Sequence, residues 1–350
     1  MTPKPDFERV KTALLGGQPD RVPLAELKMD TPVMEAFMGK PVKDLKDEVE
    51  FWASAGYDFI RFRPKFDFQH QAAKANVANY SLYGNHKEER KWAAEKEGVI
   101  TNTDDFDNFP WPRPEDIDYS RLEEVKEYLP KGMKVITGVS GIWEAVWMLF
   151  GFESFSYALS ENPELVEKMF NKTGEILYGI FERSSAFESV GAMWYTDDIA
   201  YTEGLMVSPS VYRRHLFPWM RKMADVCRKR KLPLLFHSDG RLWDVMDDLV
   251  EIGVQALHPI EPKGMDIIEV KKRYGKKLCL IGNIDLSYTL TRGSTEEVEA
   301  EVKQKLKDIA PGGGYCLGSS NSITSYVKIE NYRAMLNAAL KYGKYPIRIQ

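Results

Sequence analysis

The sequence predicts an α/β fold, a single (β/α)8 barrel of the TIM type spanning residues 1–350, with an insertion after the second strand at about residues 65–132. Three observations predict it. Eight short, near-continuous apolar runs recur along the chain, the pattern of strands buried on both faces. Amphipathic helical patterns separate them. Three of the later runs break off into paired polar side chains, which is how such a barrel assembles a site at the C-terminal ends of its strands.

In chain order the candidate strands are Val22–Leu27, Tyr57–Phe62, Lys134–Val139, Ala192–Asp197, Leu232–His237, Val254–Pro259, Lys277–Gly282 and Gly314–Gly318. Between the fourth and fifth, Pro209 to Lys229 carries Val211, Leu216, Met220, Met223 and Val226 at helical spacing. Ser208 is a favourable N-cap there and Pro209 suits the first helical position. Ser294-Thr-Glu-Glu-Val starts a capped amphipathic helix, and Asn331 to Tyr342 forms another that Gly343 ends. The 65–132 stretch is rich in turn formers and aromatics, with Phe106, Phe109 and Trp111 close together. An insertion after a barrel strand lies over the active-site face and serves as a lid or substrate wall.

Bulk properties narrow the function. Hydrophobic residues make up 43% of the chain, ample for a core, and charged residues 29%. The net charge of −4, with both signs interspersed, argues against nucleic-acid binding, which needs a concentrated basic face. The three cysteines, Cys227, Cys279 and Cys316, make no disulfide framework and fit a reducing cytoplasm. The first residues lack the apolar core of a signal peptide, and no apolar run is long enough to span a membrane. A cytoplasmic enzyme is expected, and a homodimer is compatible with the chain.

The site candidates lie where apolar runs end. Leu232-Pro-Leu-Leu-Phe-His-Ser-Asp-Gly240 ends in His237 and Asp239, which share a face at i,i+2 spacing and could bind a divalent metal or act as an acid–base pair. Val254-Gln-Ala-Leu-His-Pro-Ile-Glu-Pro262 ends in His258, read as a packed histidine, and Glu261, held between prolines. Leu278-Cys-Leu-Ile-Gly-Asn-Ile-Asp285 ends in Asn283 and Asp285, the latter also suited to capping a helix. After Tyr195, the adjacent pair Asp197 and Asp198 points to opposite sides, so at most one faces the barrel axis. Arg61 and Arg63 alternate with aromatics and could clamp an anionic group, although surface arginines would give the same pattern. Cys316 is either an inert buried thiol or a soft ligand for zinc.

Several of these segments resemble the uroporphyrinogen decarboxylase superfamily, which includes zinc-dependent, corrinoid-linked methyltransferases. The resemblance rests on Asp20-Arg-Val-Pro23, Phe236-His-Ser-Asp-Gly240, Gly282-Asn-Ile-Asp285, Gly312-Gly-Gly-Tyr and Glu330-Asn331, and it extends over nearly the whole chain. It implies a TIM barrel. The decarboxylases themselves carry an N-terminal Arg-Gln-Ala-Gly-Arg segment that grips substrate carboxylates. Here the region reads Arg21-Val-Pro-Leu-Ala-Glu-Leu-Lys-Met-Asp30, so a polycarboxylate would meet Glu26 and Asp30. In the methyltransferases, the resemblance implies zinc held by a His-x-Cys pair after the fifth strand and a cysteine near the end of the eighth. His237 matches the first ligand, and Asp239 stands where the second ligand's cysteine would be. Cys316 lies on the right strand, while the family cysteine falls near Ser319.

The resemblance therefore implies methyl transfer between a small donor, such as a methoxylated aromatic or a methylamine, and a corrinoid carried by a partner protein. Zinc would be held by His237 and Asp239, completed by Glu261 or Cys316. Asp197 and Asn283 join His237 and Asp239 as expected catalytic residues, and Arg61, Arg63, Tyr195 and Asp285 as expected substrate contacts. Two alternatives remain open at this point: a decarboxylase or lyase acting on a small carboxylated substrate, and a non-catalytic barrel that binds a tetrapyrrole.

Overall fold

The apolar runs pair side by side as strands whose order in space follows their order in the chain. The structure, a computed structural model, describes residues 4–66, 75–79, 89–93 and 98–349, with backbone alone for 75–79 and 89–93. The strands are β1 (Phe59–Arg61), β2 (Ala75–Asn79), β3 (Glu89–Ala93), β4 (Lys134–Val139), β5 (Val190–Thr196), β6 (Ala200–Tyr201), β7 (Gly204–Leu205), β8 (Leu234–His237), β9 (Ala256–His258), β10 (Cys279–Ile281) and β11 (Tyr315–Cys316). Seven of them form one curled parallel sheet in the order β1-β4-β5-β8-β9-β10-β11, with helices on the crossovers. Uniformly parallel strands joined through helices bring all seven C-terminal ends to the same rim.

The expected closed ring of eight strands is not what the described residues form. The first apolar run, Val22–Leu27, makes no ladder and is held by one parallel bridge, Leu24 to Leu317. Its hydrogen bonds run from Ala25 N to Leu317 O (2.9 Å) and from Leu317 N to Pro23 O (2.9 Å). Pro23 has no N–H to donate, which limits pairing along this run. The result is a seven-stranded half-barrel close to a TIM barrel.

Residues 67–74, 80–88 and 94–97 of the expected insertion lie outside the described residues. The described remainder contains the antiparallel β2–β3 hairpin and the short helices Thr103–Asn108 and Ser120–Glu124. Trp111 packs against Phe106 (5.3 Å between centroids) and Phe109 (4.7 Å), and its Nε1 donates to Phe106 O (3.0 Å). These aromatics satisfy one another locally.

The anticipated helices form. Ser208 precedes a helical stretch from Pro209 to Arg230 that widens into a π turn at Tyr212–Leu216, just before Pro218, which lacks a donor. Ser294 and Glu297 close a capping box on Thr295–Ile309, and Gly343 follows Ile329–Tyr342. No described helix is long and apolar enough to cross a membrane.

An ionic knot ties the N-terminal segment to the sheet. Arg9, on the helix Phe7–Leu14, donates to Asp20 (2.5 Å) and to Asp58 (2.5 Å). Arg21 donates to Asp58 (3.3 Å) and to Gly56 O (3.2 Å). Asp58 is wholly buried just before β1. The Asp20-Arg-Val-Pro23 motif is thus a structural fastening, with Asp20 and Arg21 in the knot and Pro23 at the bridge.

Candidate functional site

The ends of β5 and β8 are in register, Thr196 beside His237, and β8 sets His237 beside His258 of β9. Both imidazoles are buried, and their Nδ1 atoms are 2.8 Å apart. Burial lowers the pKa of His237; Asp198 opposes and Arg61 reinforces that shift. Burial, then His237 and Arg61, push His258 well down, so the pair is neutral near pH 7. Nε2 of His237 turns outward, 3.6 Å from Asp198 Oδ1.

Asp198 also accepts the Asp239 N–H (2.8 Å). Asp198, His237 and Asp239 each offer one ligand atom, and these atoms all lie within 4.8 Å of one another. Asn321 Nδ2 donates to Asp239 Oδ2 (2.6 Å), while Asp239 Oδ1 is buried without a hydrogen bond. Burial, then Asp198 and Glu261, push Asp239 up to about 8. One nitrogen and two oxygen donors around an orphaned carboxylate oxygen form a set that a divalent cation fits. Its charge would offset the crowding that keeps Asp239 protonated.

The adjacent aspartates divide as strand alternation requires, and Asp198 is the one turned into the mouth. Asp197 is wholly buried and accepts from Trp143 N (2.9 Å), Glu144 N (2.9 Å) and the Tyr195 hydroxyl (2.5 Å). It thereby holds the N-terminus of the helix Ile142–Phe150. A Cβ at Gly141 would come within 1.8 Å of Asp197 Oδ1, so this contact requires glycine. Tyr195 is part of the same support, accepting from Ile142 N (2.9 Å). The sequence contains the aspartate pair but not which member the helix after β4 would engage.

The other expected residues are spread around the rim. Asn283 Nδ2 donates to Ile260 O (2.7 Å), leaving its Oδ1 buried and unpartnered. Asp285 accepts from Ser287 N (2.9 Å) and Tyr288 N (2.8 Å), the bonds of a turn cap. Glu261 accepts from Gly240 N (2.9 Å) and stands outside the three-residue cluster. Cys316 is outside it too: its Sγ is 4.0 Å from Cys279 Sγ, and that thiol contact, followed by burial, raises its pKa well above the usual value. Ser319, where the resemblance anticipates a cysteine, donates through N (2.8 Å) and Oγ (2.6 Å) to the wholly buried Glu26. Arg61 and Arg63 line a cavity of about 340 Å³ with Thr196 and Ser322. Asp239 and Glu261 line another of about 350 Å³ with Asp285 and Asn321.

Burial raises the Glu26 carboxyl from 4.5 to about 8 against the two Ser319 bonds. Between those values the folded chain holds a proton that the unfolded chain has lost. This contribution to stability is full below the unfolded value, falls by about 1.4 kcal/mol per pH unit as pH rises, and levels off above the folded value. Gln reproduces the neutral acid's acceptor and donor, so Glu26→Gln should flatten the slope. Urea titrations of both proteins between pH 5 and 9 measure it, and parallel curves would refute the assignment.

Comparison with known proteins agrees with this architecture. A family model described as uroporphyrinogen decarboxylase (URO-D) matches residues 93–342. Uroporphyrinogen decarboxylase from Actinobacillus pleuropneumoniae is 26% identical over 262 residues, 70% of each protein. Methylcobamide:CoM methyltransferase MtaA from Methanosarcina barkeri is 24% identical over 223 residues, 63% of this chain and 62% of that protein. Among solved structures, a methyltransferase from Methanosarcina mazei superposes with a TM-score of 0.69 at 17% identity, covering 95% of this chain and 98% of its own, and so shares the fold. These relatives are enzymes, and the extent of the family match establishes that this chain belongs to the uroporphyrinogen decarboxylase (URO-D) family.

Proposed function

We propose that the protein is a methyltransferase that moves a methyl group between a small methylated donor, such as a methoxylated aromatic or a methylamine, and a corrinoid carried by a partner protein. The observation that carries this reading is the Asp198–His237–Asp239 cluster, whose donors converge at the strand ends. Zinc held by these three residues would supply Lewis-acid polarisation of the donor heteroatom. His258 braces the His237 ring through the Nδ1 contact, and Asn321 fixes the Asp239 carboxylate. Asn283, with its free buried Oδ1, offers an acceptor to the bound donor. In this reading residues 1–350 act as one domain.

Decarboxylation of uroporphyrinogen fits less well. The Arg-Gln-Ala-Gly-Arg segment is missing, and Asp198, Asp239 and Glu261 make the cluster side of the mouth acidic. One carboxylate of such a polycarboxylate would find an arginine at the mouth, while the others would be poorly compensated in a partly dry site. The test supplies zinc-loaded protein with either uroporphyrinogen or a methoxylated aromatic plus reduced cob(I)alamin. We expect methylcobalamin, seen by its visible spectrum, and no coproporphyrinogen. Coproporphyrinogen formation without methyl transfer would overturn the proposal.

A further inference from the structure

Arg61 is a half-buried cation, and no anion among the described residues pairs with it. Its guanidinium lies 5.1 Å over the Trp194 ring, and its Nε is buried without a hydrogen-bond partner. Among the described residues, the charge acting on it is Arg63, of its own sign. Arg9 and Arg21, the buried arginines among the described residues, are treated differently, since they share the Asp58 carboxylate. A partly desolvated guanidinium without a partner is costly, so this position favours an anion that arrives from outside.

The surroundings specify that partner. Arg61 opens into the 340 Å³ cavity, which Lys28 and Arg63 also line; Lys28 is paired with Asp30 (2.9 Å), and Arg63 acts on Glu144. Glu48, the acidic residue of that lining, is engaged by Arg121 at 2.8 Å. The guanidinium lies over the Trp194 ring, and a guanidinium suits planar, bidentate recognition of an anion. This cavity borders the metal-ligand cluster directly. Thr196 lines it and is in register with His237; Ser322 lines it and follows Asn321, which holds Asp239. The mouth therefore has an Arg61 side, on β1, and an acidic, metal-fitting side at the end of β8, three places along the sheet.

We infer that Arg61 binds a carboxylate on the substrate, so that the methyl donor is a small carboxylic acid, its anionic end at Arg61 and its methylated heteroatom at Asp198, His237 and Asp239. This assignment rests on the proposed function for the second end and on the Arg61 environment for the first. Methanol, which is neutral, or a methylamine, which is a cation near pH 7, would leave Arg61 unpaired, whereas a methoxylated aromatic acid engages both sides.

Isothermal titration with 4-methoxybenzoate and its neutral amide, 4-methoxybenzamide, tests the anionic end without turnover. Wild-type protein should bind the carboxylate at least about tenfold more tightly, the scale of a charge-assisted pair. Arg61→Met should abolish that preference, Arg61→Lys should weaken it, and His237→Ala should retain it. Without ligand, Arg61→Met should melt no lower than wild type, because it removes a partly desolvated charge that has no partner. Equal binding of acid and amide, a preference surviving in Arg61→Met, or a lowered melting temperature would each overturn the inference. Tighter binding of 4-methoxyphenyl phosphate than of the benzoate would replace the carboxylate with a phosphate. Carboxylate preference without methyl transfer would refute the proposed reaction and leave the anion site standing, while transfer from neutral donors with no preference would do the reverse.

Discussion

Replacing His237 with alanine should strip the protein of zinc and end methyl transfer while leaving the circular dichroism spectrum unchanged. His237 provides the nitrogen of the three-donor cluster, and Asp198 and Asp239 provide oxygens. Outer contacts to metal ligands are already worth about 10–100-fold in affinity, so deleting a ligand should weaken binding by more than about 100-fold. Elemental analysis of protein purified without chelator measures it directly. The neighbouring aspartates offer an internal control. Asp198→Asn should lower metal content with little effect on stability, whereas Asp197→Asn should disturb the helix that Asp197 caps at Trp143 and Glu144. Full zinc occupancy in His237→Ala would show that the cluster is not a metal centre.

The largest loss of stability should come from a residue far from that chemistry. Asp58→Ala leaves Arg9 and Arg21, both buried, without the carboxylate they share. Removing one partner of a buried ionic group costs about 3–5 kcal/mol, because the remaining charges stay desolvated and uncompensated. Replacing the whole group with apolar residues of similar volume should be far milder. Urea denaturation of Asp58→Ala and of an Arg9→Met, Arg21→Met, Asp58→Leu combination separates the two cases. A loss below about 1 kcal/mol in the single variant would place the knot among weak surface pairs.

The sheet was legible because its strands are buried on both faces, so apolar runs alone mark them, and Lys134–Val139 matches β4 residue for residue. Val22–Leu27 has the same apolar character, yet pairing depends on backbone donors that composition does not reveal, and Pro23 limits it. At the site, i,i+2 spacing brought out His237 and Asp239, which stand together in the cluster. Asp198 was named only within an adjacent pair. What decides between Asp197 and Asp198 is a helix more than fifty residues earlier in the chain, through bonds from Trp143 and Glu144. His258 read as packing, and its contact with His237 depends on the register of β8 and β9, which no local pattern encodes. The same holds for Cys316, whose thiol neighbour Cys279 belongs to the adjacent strand.

The contact between the two histidines has one further consequence. Two neutral imidazoles facing through Nδ1 can share only one hydrogen there. For His237 to present a lone pair on Nε2 toward Asp198 and Asp239, its own Nδ1 must carry that hydrogen and His258 Nδ1 must accept it. His258 is then compelled to hold its hydrogen on Nε2, an atom buried without a polar partner in a ring set edge-on to Trp194, 5.2 Å between centroids and 85° between planes. The tautomer of the ring in the mouth is thus set by a ring in the interior. The donor left unsatisfied by that choice lies in the core beside an indole, and the nitrogen at the mouth remains free to bind.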